Sequence, residues 1–149
     1  MREQWEPVEG GTPTLRLWSE DAHEEQLTVI ERSLLETTLE EVAREHAELK
    51  DQVKLARCTC RYFTGYGAYL DLAVSDAAPR TDYANRIVSR ASINWKHSDR
   101  ADLLTVLFLK DRRLSTLEIV PSDAQGWSVA ECRNILSADP SSVVIRPAI

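Results

Sequence analysis

Hydrophobic residues first recur at helical spacing from about Glu20 onward. Leu27, Ile30 and Leu34 share one face of a helical wheel, and charged residues occupy the other side. The stretch "TLEE", Thr38–Glu41, then matches a capping box and predicts a second helix that runs to about Lys50. The pattern therefore predicts a hairpin of two helices in the first third of the chain.

Beyond Asp51 the hydrophobic period changes to two, which is typical of half-buried strands. Five segments predict strands: 56–63, 68–74, 87–95, 103–110 and 114–120. Gly65 and Gly67 in "TGYG" permit a tight turn between the first two segments, and "KDRR" connects the last two. Because the fourth segment is apolar on both faces, we expect it in the middle of the sheet and covered.

The two ends of the chain complete the predicted fold. Ser128–Glu131 matches another capping box and predicts a short helix, and the proline-bounded segment 139–147 predicts an edge strand. Prolines and glycines within residues 1–17 predict an irregular lead-in. The expected fold class is α+β: an N-terminal helical hairpin packed on an antiparallel sheet of about four to five strands, with a short C-terminal helix. We expect residues 1–149 to form a single domain.

Charge is distributed unevenly along the chain. The net charge is −6, and the segment Glu20–Asp51 holds eleven acidic residues against three basic ones. Such a face repels a phosphate backbone, so we expect no nucleic-acid partner and favour a basic protein partner. The alternative is a solvated helix surface without a partner. The acids chosen as candidate binding residues are Glu24, Glu25, Glu31, Glu40 and Glu41.

Composition also bears on the compartment. The first residues show no apolar stretch of signal-peptide length, and the longest apolar run, 103–109, is too short to cross a membrane. Three cysteines with uneven spacing argue against a disulfide framework and fit a reducing compartment. We therefore expect a cytoplasmic protein without a membrane partner.

Cys58 and Cys60 form the pattern that most resembles a chemical site. Residues i and i+2 of a strand project from one face, so both sulfurs are expected on the same side. Two thiols supply half of a zinc site, but the other candidate ligands, Cys132 and the three histidines, lack paired spacing. The favoured interpretation is two small buried residues, with metal binding and redox chemistry as weaker alternatives.

Aromatic residues around the first β-hairpin offer a second candidate site. Tyr62, Tyr66 and Tyr69 have the large area and low entropic cost of interface anchors, although cross-strand packing within the sheet would equally explain them. The sequence contains no G-x-S-x-G or H-E-x-x-H motif. His46 lies on the apolar side of the predicted second helix, which favours a core role. A site assembled from distant residues stays possible, so the enzyme question stays open, leaning towards no.

Three segments carry a resemblance to a known group. Leu34–Glu36, the Cys58-x-Cys60 strand and "TVLFLKDRRLSTLEI", 105–119, resemble small uncharacterised bacterial α+β proteins that share an "LLE" helix, a C-x-C strand and a "dgrLs.LEi" hairpin. A Gly-Cys pair often follows the second cysteine in that group, whereas this chain has Arg61 and Tyr62. Similar small acidic proteins often serve as immunity proteins, and the resemblance implies that role here.

The sequence therefore predicts a non-enzymatic protein-binding module without a cofactor. Its partner would be a basic toxin domain, neutralised because the acidic helices or the tyrosine-rich hairpin occlude its catalytic cleft. Two alternatives remain: a small enzyme or metal- or ligand-binding protein that uses Cys58, Cys60 and His97, and a homo-oligomeric structural protein joined through a sheet edge. The oligomeric state is left open.

Overall fold

A computed structural model describes residues 2–18, 25–85, 87–88 and 91–147. The described strands are β1 (Arg2–Glu6), β2 (Thr14–Trp18), β3 (Ala56–Phe63), β4 (Ala68–Val74), β5 (Ile87–Val88), β6 (Ala91–Trp95), β7 (Leu103–Lys110), β8 (Arg113–Pro121) and β9 (Val143–Pro147). The helices are α1 (Val29–Leu39), α2 (Glu48–Leu55) and α3 (Val129–Leu136), with 3₁₀ turns at Val42–Arg44 and Pro140–Ser142.

All nine described strands belong to one antiparallel sheet. Eight of them follow the order β1-β2-β3-β4-β8-β7-β6-β9, and β5 pairs with β7 beside β6. The predicted antiparallel pairing is confirmed, and so is the position of β9 at an edge. The prediction of a helical hairpin on four to five strands is wrong, because the molecule is mostly sheet.

The predicted irregular lead-in supplies two of the missing strands. β1 and β2 pair antiparallel, with Arg2 opposite Trp18 and Glu6 opposite Thr14. The prolines and glycines between the two strands form their connection, in which Gly10 has a φ of 71°. They do not prevent regular structure on either side of it. Leu15 and Leu17 are buried on one side of β2, but this alternation is too short to stand out in the sequence.

The helical region also differs from the prediction. α1 begins after Thr28, whose side chain accepts from the Glu31 amide while Glu31 accepts from the Thr28 amide in a capping box. Thr38 does not cap a second helix; it lies inside α1. Its buried hydroxyl donates to the Leu34 carbonyl and contacts the Thr105 hydroxyl at 2.7 Å. In place of the predicted second helix, the chain between α1 and β3 forms a 3₁₀ turn and the short helix α2.

The three helices pack against the same face of the sheet. Leu34 and Leu35 of α1 and Ile135 of α3 join inward-facing strand residues such as Leu107 and Leu117 in one fully buried core. α3 begins at the capping box predicted for Ser128–Glu131, which is confirmed. The longest helix among the described residues has eleven residues, and none is long and apolar enough to span a membrane.

The opposite face of the sheet carries no helix in the part of the chain that the structure describes. We call it the open face. Its outward row includes Arg16, Trp18, Cys60, Tyr62, Tyr69, Asp71, Leu104, Val106, Phe108, Thr116 and Glu118. β7 lies mid-sheet as predicted, but its second apolar row, Leu104, Val106 and Phe108, is only half-buried on this face.

Candidate binding surface on the open face

A β-bulge in β3 decides which side chains reach each face. Cys58 lies opposite Leu72, and Cys60 lies opposite Asp71, so Thr59 is the extra residue. The bulge reverses the alternation, and Cys58 enters the core while Cys60 joins the open face. The expectation that both sulfurs point the same way is therefore wrong.

The cysteines behave as buried small residues, as the favoured interpretation predicted. All three are free and buried. Burial raises the pKa of the Cys58 thiol to about 12 and that of Cys132 to about 11, which disfavours the thiolate that metal binding requires. His97 follows β6, and three strands separate β6 from β3, so the proposed grouping of His97 with the two β3 cysteines does not form.

The open face carries a cluster of aromatic and arginine side chains around Cys60. The rings of Tyr62 and Tyr69 stack with centroids 4.3 Å apart and planes at 14°. The Arg16 guanidinium lies 4.6 Å from the Trp18 ring centroid and 5.9 Å from that of Tyr62. Its Nε donates to Cys60 Sγ at 3.3 Å, and this hydrogen bond raises the pKa of Arg16. The contacts hold the cluster in one arrangement.

Three carboxylates surround this cluster. Glu118 lies opposite Tyr69 on β8, Asp71 lies two residues beyond Tyr69 on β4, and Glu6 approaches from β1. Burial raises the pKa of Tyr69 first, and the negative charges of Asp71, Glu6 and Glu118 raise it further. Burial and a hydrogen bond with Cys60 raise the pKa of Tyr62. Both phenols therefore stay neutral; Glu6 pairs with Arg16 at 3.9 Å, and Asp71 and Glu118 are the carboxylates beside Tyr69 that would attract a cation.

Tyr66 does not belong to this cluster. It lies at the hairpin tip, 46% exposed, and its hydroxyl donates to the Asp123 carbonyl at 2.9 Å. Its ring lies against Gly126, where an added Cβ would come within 2.7 Å of Cδ2. The Trp127 amide donates to the Tyr66 carbonyl. Tyr66 therefore braces the loop before α3, and it is separate from the other two tyrosines predicted as binding residues.

Two of the predicted acidic binding residues are used inside the protein. Glu31 is fully buried, and its carboxylate accepts from Arg61 Nε and Nη2, both at 2.8 Å. Glu25 accepts from Arg61 Nη1 at 2.7 Å. Both acids therefore neutralise a largely buried arginine, which makes them less available to a partner, and their choice as binding residues stays a prediction.

Two of the remaining predicted acids lie on the helical side. Glu40 and Glu41 are exposed at the end of α1, whereas Glu24 lies outside the described residues. A groove of about 420 Å³ runs between α1 and α2. The charged side chains that line it are both acidic and basic: Glu36, Glu40, Arg44, Lys50 and Lys54. This surface is therefore less acidic than the sequence suggested.

Sequence reasoning missed Arg16, Trp18, Asp71 and Glu118 as members of one surface. The alternation in 68–74 placed Tyr69 and Asp71 on one side of a strand, and the structure confirms this. No local pattern indicated that β2 and β8 would flank that hairpin, because strand order depends on long-range pairing.

Comparisons with known proteins give no match: no family model fits the chain, and no curated protein or solved structure is significantly similar to it. The resemblance to small bacterial α+β proteins therefore stays a prediction. The chemistry of the open face is therefore the basis on which a function can be proposed.

Proposed function

We propose that this protein is a non-enzymatic protein-binding module whose open face docks a basic surface of a protein partner. One observation carries the proposal: the stacked Tyr62 and Tyr69 lie half-buried beside Glu6, Asp71 and Glu118, on a sheet face that no described helix covers. Tyrosine, tryptophan and arginine are the residues that most often dominate binding energy at protein interfaces.

The cluster is already ordered before a partner arrives. The Tyr62–Tyr69 stack and the packing of Arg16 on Trp18 fix four large side chains in single positions. A partner then loses little affinity to the ordering of these side chains, which otherwise costs about 0.5–1.5 kcal/mol for each. The stack is a cross-strand pair of β3 and β4, and this packing lowers the entropic cost of using the same rings as interface anchors.

The carboxylates favour a basic partner. A lysine or arginine that reaches Tyr69 meets an aromatic ring together with Asp71 and Glu118. The net charge of −6 adds long-range attraction that accelerates the encounter. The helical side is a weaker candidate, because Glu25 and Glu31 pair with Arg61 and basic residues line its groove.

The finer proposal is that the partner is a basic catalytic domain of a bacterial toxin and that binding neutralises it by occlusion. The acidic composition and the resemblance to small immunity-like proteins support it. Binding and toxin neutralisation are separate claims and need separate tests.

Site-specific photo-crosslinking in the native host tests the binding face. Benzoylphenylalanine replaces Thr116, which lies opposite Asp71 and Phe108 on the open face, or replaces the exposed Glu40 as the matched helical-side control. We expect a defined adduct with a basic protein from position 116 and none from position 40. The adduct should disappear when Asp71→Lys and Glu118→Lys are added.

An adduct from position 40 alone, an adduct at 116 that survives charge reversal, or no adduct at either position would contradict the proposal. The toxin claim is tested next, by expressing the crosslinked partner with and without this protein. Growth arrest that this protein relieves supports neutralisation. If the partner alone leaves growth unchanged, the toxin claim is wrong while the binding claim stands.

A further inference from the structure

A second group of polar side chains lies on the helical side, away from the open face. His46 follows the 3₁₀ turn after α1, and Glu48 is the first residue of α2. Asp82 comes from the loop that joins β4 to β5. One potential ligand atom from each of these three residues lies within 4.8 Å of the other two.

The distances suit a small divalent cation. His46 Nδ1 is 2.9 Å from Asp82 Oδ1 and 3.6 Å from Glu48 Oε1. Ligands at zinc–nitrogen and zinc–oxygen distances of about 2.0–2.2 Å in a tetrahedron are separated by about 3.3 Å from one another. The two separations lie on either side of that value, and the shorter one is a hydrogen bond between the imidazole and the Asp82 carboxylate, so a bound cation would take the place of the shared proton.

Buried neighbours orient the group, as outer-shell partners do in metal sites. The Thr81 hydroxyl, which is 1% exposed, donates to Glu48 Oε1 at 2.7 Å. The Tyr83 amide donates to that hydroxyl in turn, at 3.1 Å. The Tyr83 ring meets the imidazole edge-on, with centroids 5.0 Å apart. A buried hydrogen-bond relay and an aromatic contact therefore fix two of the three donors.

The side next to Asp82 is open. Its side chain is 84% exposed and lines a hollow of about 570 Å³ together with Tyr83, Lys110 and Arg112. A water molecule could therefore enter as the fourth ligand. One imidazole nitrogen, two carboxylate oxygens and a water form a ligand set that zinc accepts and that calcium, which prefers six or more oxygens, does not.

We propose that His46, Glu48 and Asp82 form a binding site for a zinc-type divalent cation, which clamps the β4–β5 loop onto the start of α2. The thiols take no part, because Cys58 and Cys132 are buried in the core. This inference is independent of the open face and of the protein partner.

Calorimetry with Zn²⁺ and absorption spectroscopy with Co²⁺ test the site on the full chain purified without chelators. We expect one ion per chain, a Co²⁺ spectrum without a thiolate charge-transfer band, and a raised melting temperature with Zn²⁺. Asp82→Ala alters an exposed side chain, so the metal-free protein should melt as the wild type does while binding is lost. His46→Ala should also abolish binding, and Thr81→Val should weaken it about 10–100-fold.

The matched controls are the other two histidines. His97→Ala, in an exposed turn, and His23→Ala should leave the affinity for Zn²⁺ unchanged. The proposal is overturned if the wild type shows no stoichiometric binding, if Asp82→Ala binds as tightly as the wild type, if loss of either control histidine abolishes binding, or if Co²⁺ shows thiolate ligation.

Discussion

At the scale of single residues, Arg61 shows how one bulge rearranges the charges. Because Thr59 is the extra residue of β3, Arg61 faces the helices and reaches Glu31, Glu25 and the Gln26 carbonyl. A strand without the bulge would have turned it to the open face. The sequence could not show this, because "RCTCRYF" alternates equally well in either register.

Arg61→Met should lower the free energy of unfolding by about 3–5 kcal/mol, since it leaves the buried Glu31 carboxylate without its cation. The matched control is Arg133→Met, which breaks an exposed 3.0 Å pair with Glu3 and should cost less than about 1 kcal/mol. Urea unfolding measures both. Equal losses in the two variants would show that burial does not set the strength of the Arg61 pair.

The core thiols give a second prediction at this scale. With its pKa raised to about 12 by burial, Cys58 stays protonated at pH 8, and Cys132 behaves similarly. In the native protein we expect iodoacetamide to leave both cysteines unmodified for hours. In the urea-unfolded protein we expect it to modify all three cysteines rapidly. Peptide mass spectrometry follows each site. Fast native alkylation of Cys58 would contradict its place in the core.

At the scale of elements, the hairpins were the most predictable parts. The bounds of β3, β4 and β7 coincide with the predicted segments, because alternation and turn chemistry are local properties. The start of α1 was missed although Thr28 and Glu31 carry the capping-box spacing, since the prediction followed the hydrophobic spacing from about Glu20 and used "TLEE" to open a second helix. Burial against Thr105 decided that Thr38 would continue the helix instead of capping one.

The β7–β8 turn offers a test of an element. Asp111 and Arg112 both adopt positive φ, 53° and 64°, as a two-residue type I′ turn requires, yet neither is glycine. Replacing them with Asn-Gly should raise the free energy of unfolding by about 1 kcal/mol, because Arg112 pays a steric cost there.

Urea unfolding checks this gain, with Gly67→Ala as the opposing control. An alanine Cβ at Gly67 would lie 2.3 Å from the Ile119 carbonyl oxygen, so this variant should be clearly destabilised. A less stable Asn-Gly variant would show that the Asp111 and Arg112 side chains contribute more than their backbone conformation costs.

At the scale of the whole molecule, the sequence underestimated the sheet. β1 and β2 are too short to show a clear alternation. The strand order places β4 beside β8 and β9 beside β6, and these long-range pairings leave no local pattern in the sequence. The open face arises from this order, since it brings Trp18, Tyr62, Tyr69 and Glu118 from four different strands together. Two tyrosines of the site were therefore predictable, while their neighbours were not. Self-association through a sheet edge stays a prediction that light scattering tests.

The central claim is that the open face, and not the helical side, binds a basic partner. The most direct test is the association rate of the crosslinked partner, measured by stopped flow at low and at physiological salt. The variants are Asp71→Lys/Glu118→Lys on the open face and the exposed pair Glu40→Lys/Glu45→Lys on the helical side. Both change the net charge equally.

We expect the open-face variant to associate at least about tenfold more slowly at low salt, with a smaller difference at physiological salt. The helical-side variant should stay within about twofold of the wild type at both, because its charges lie away from the contact. A slower helical-side variant beside an unaffected open-face variant would contradict the account.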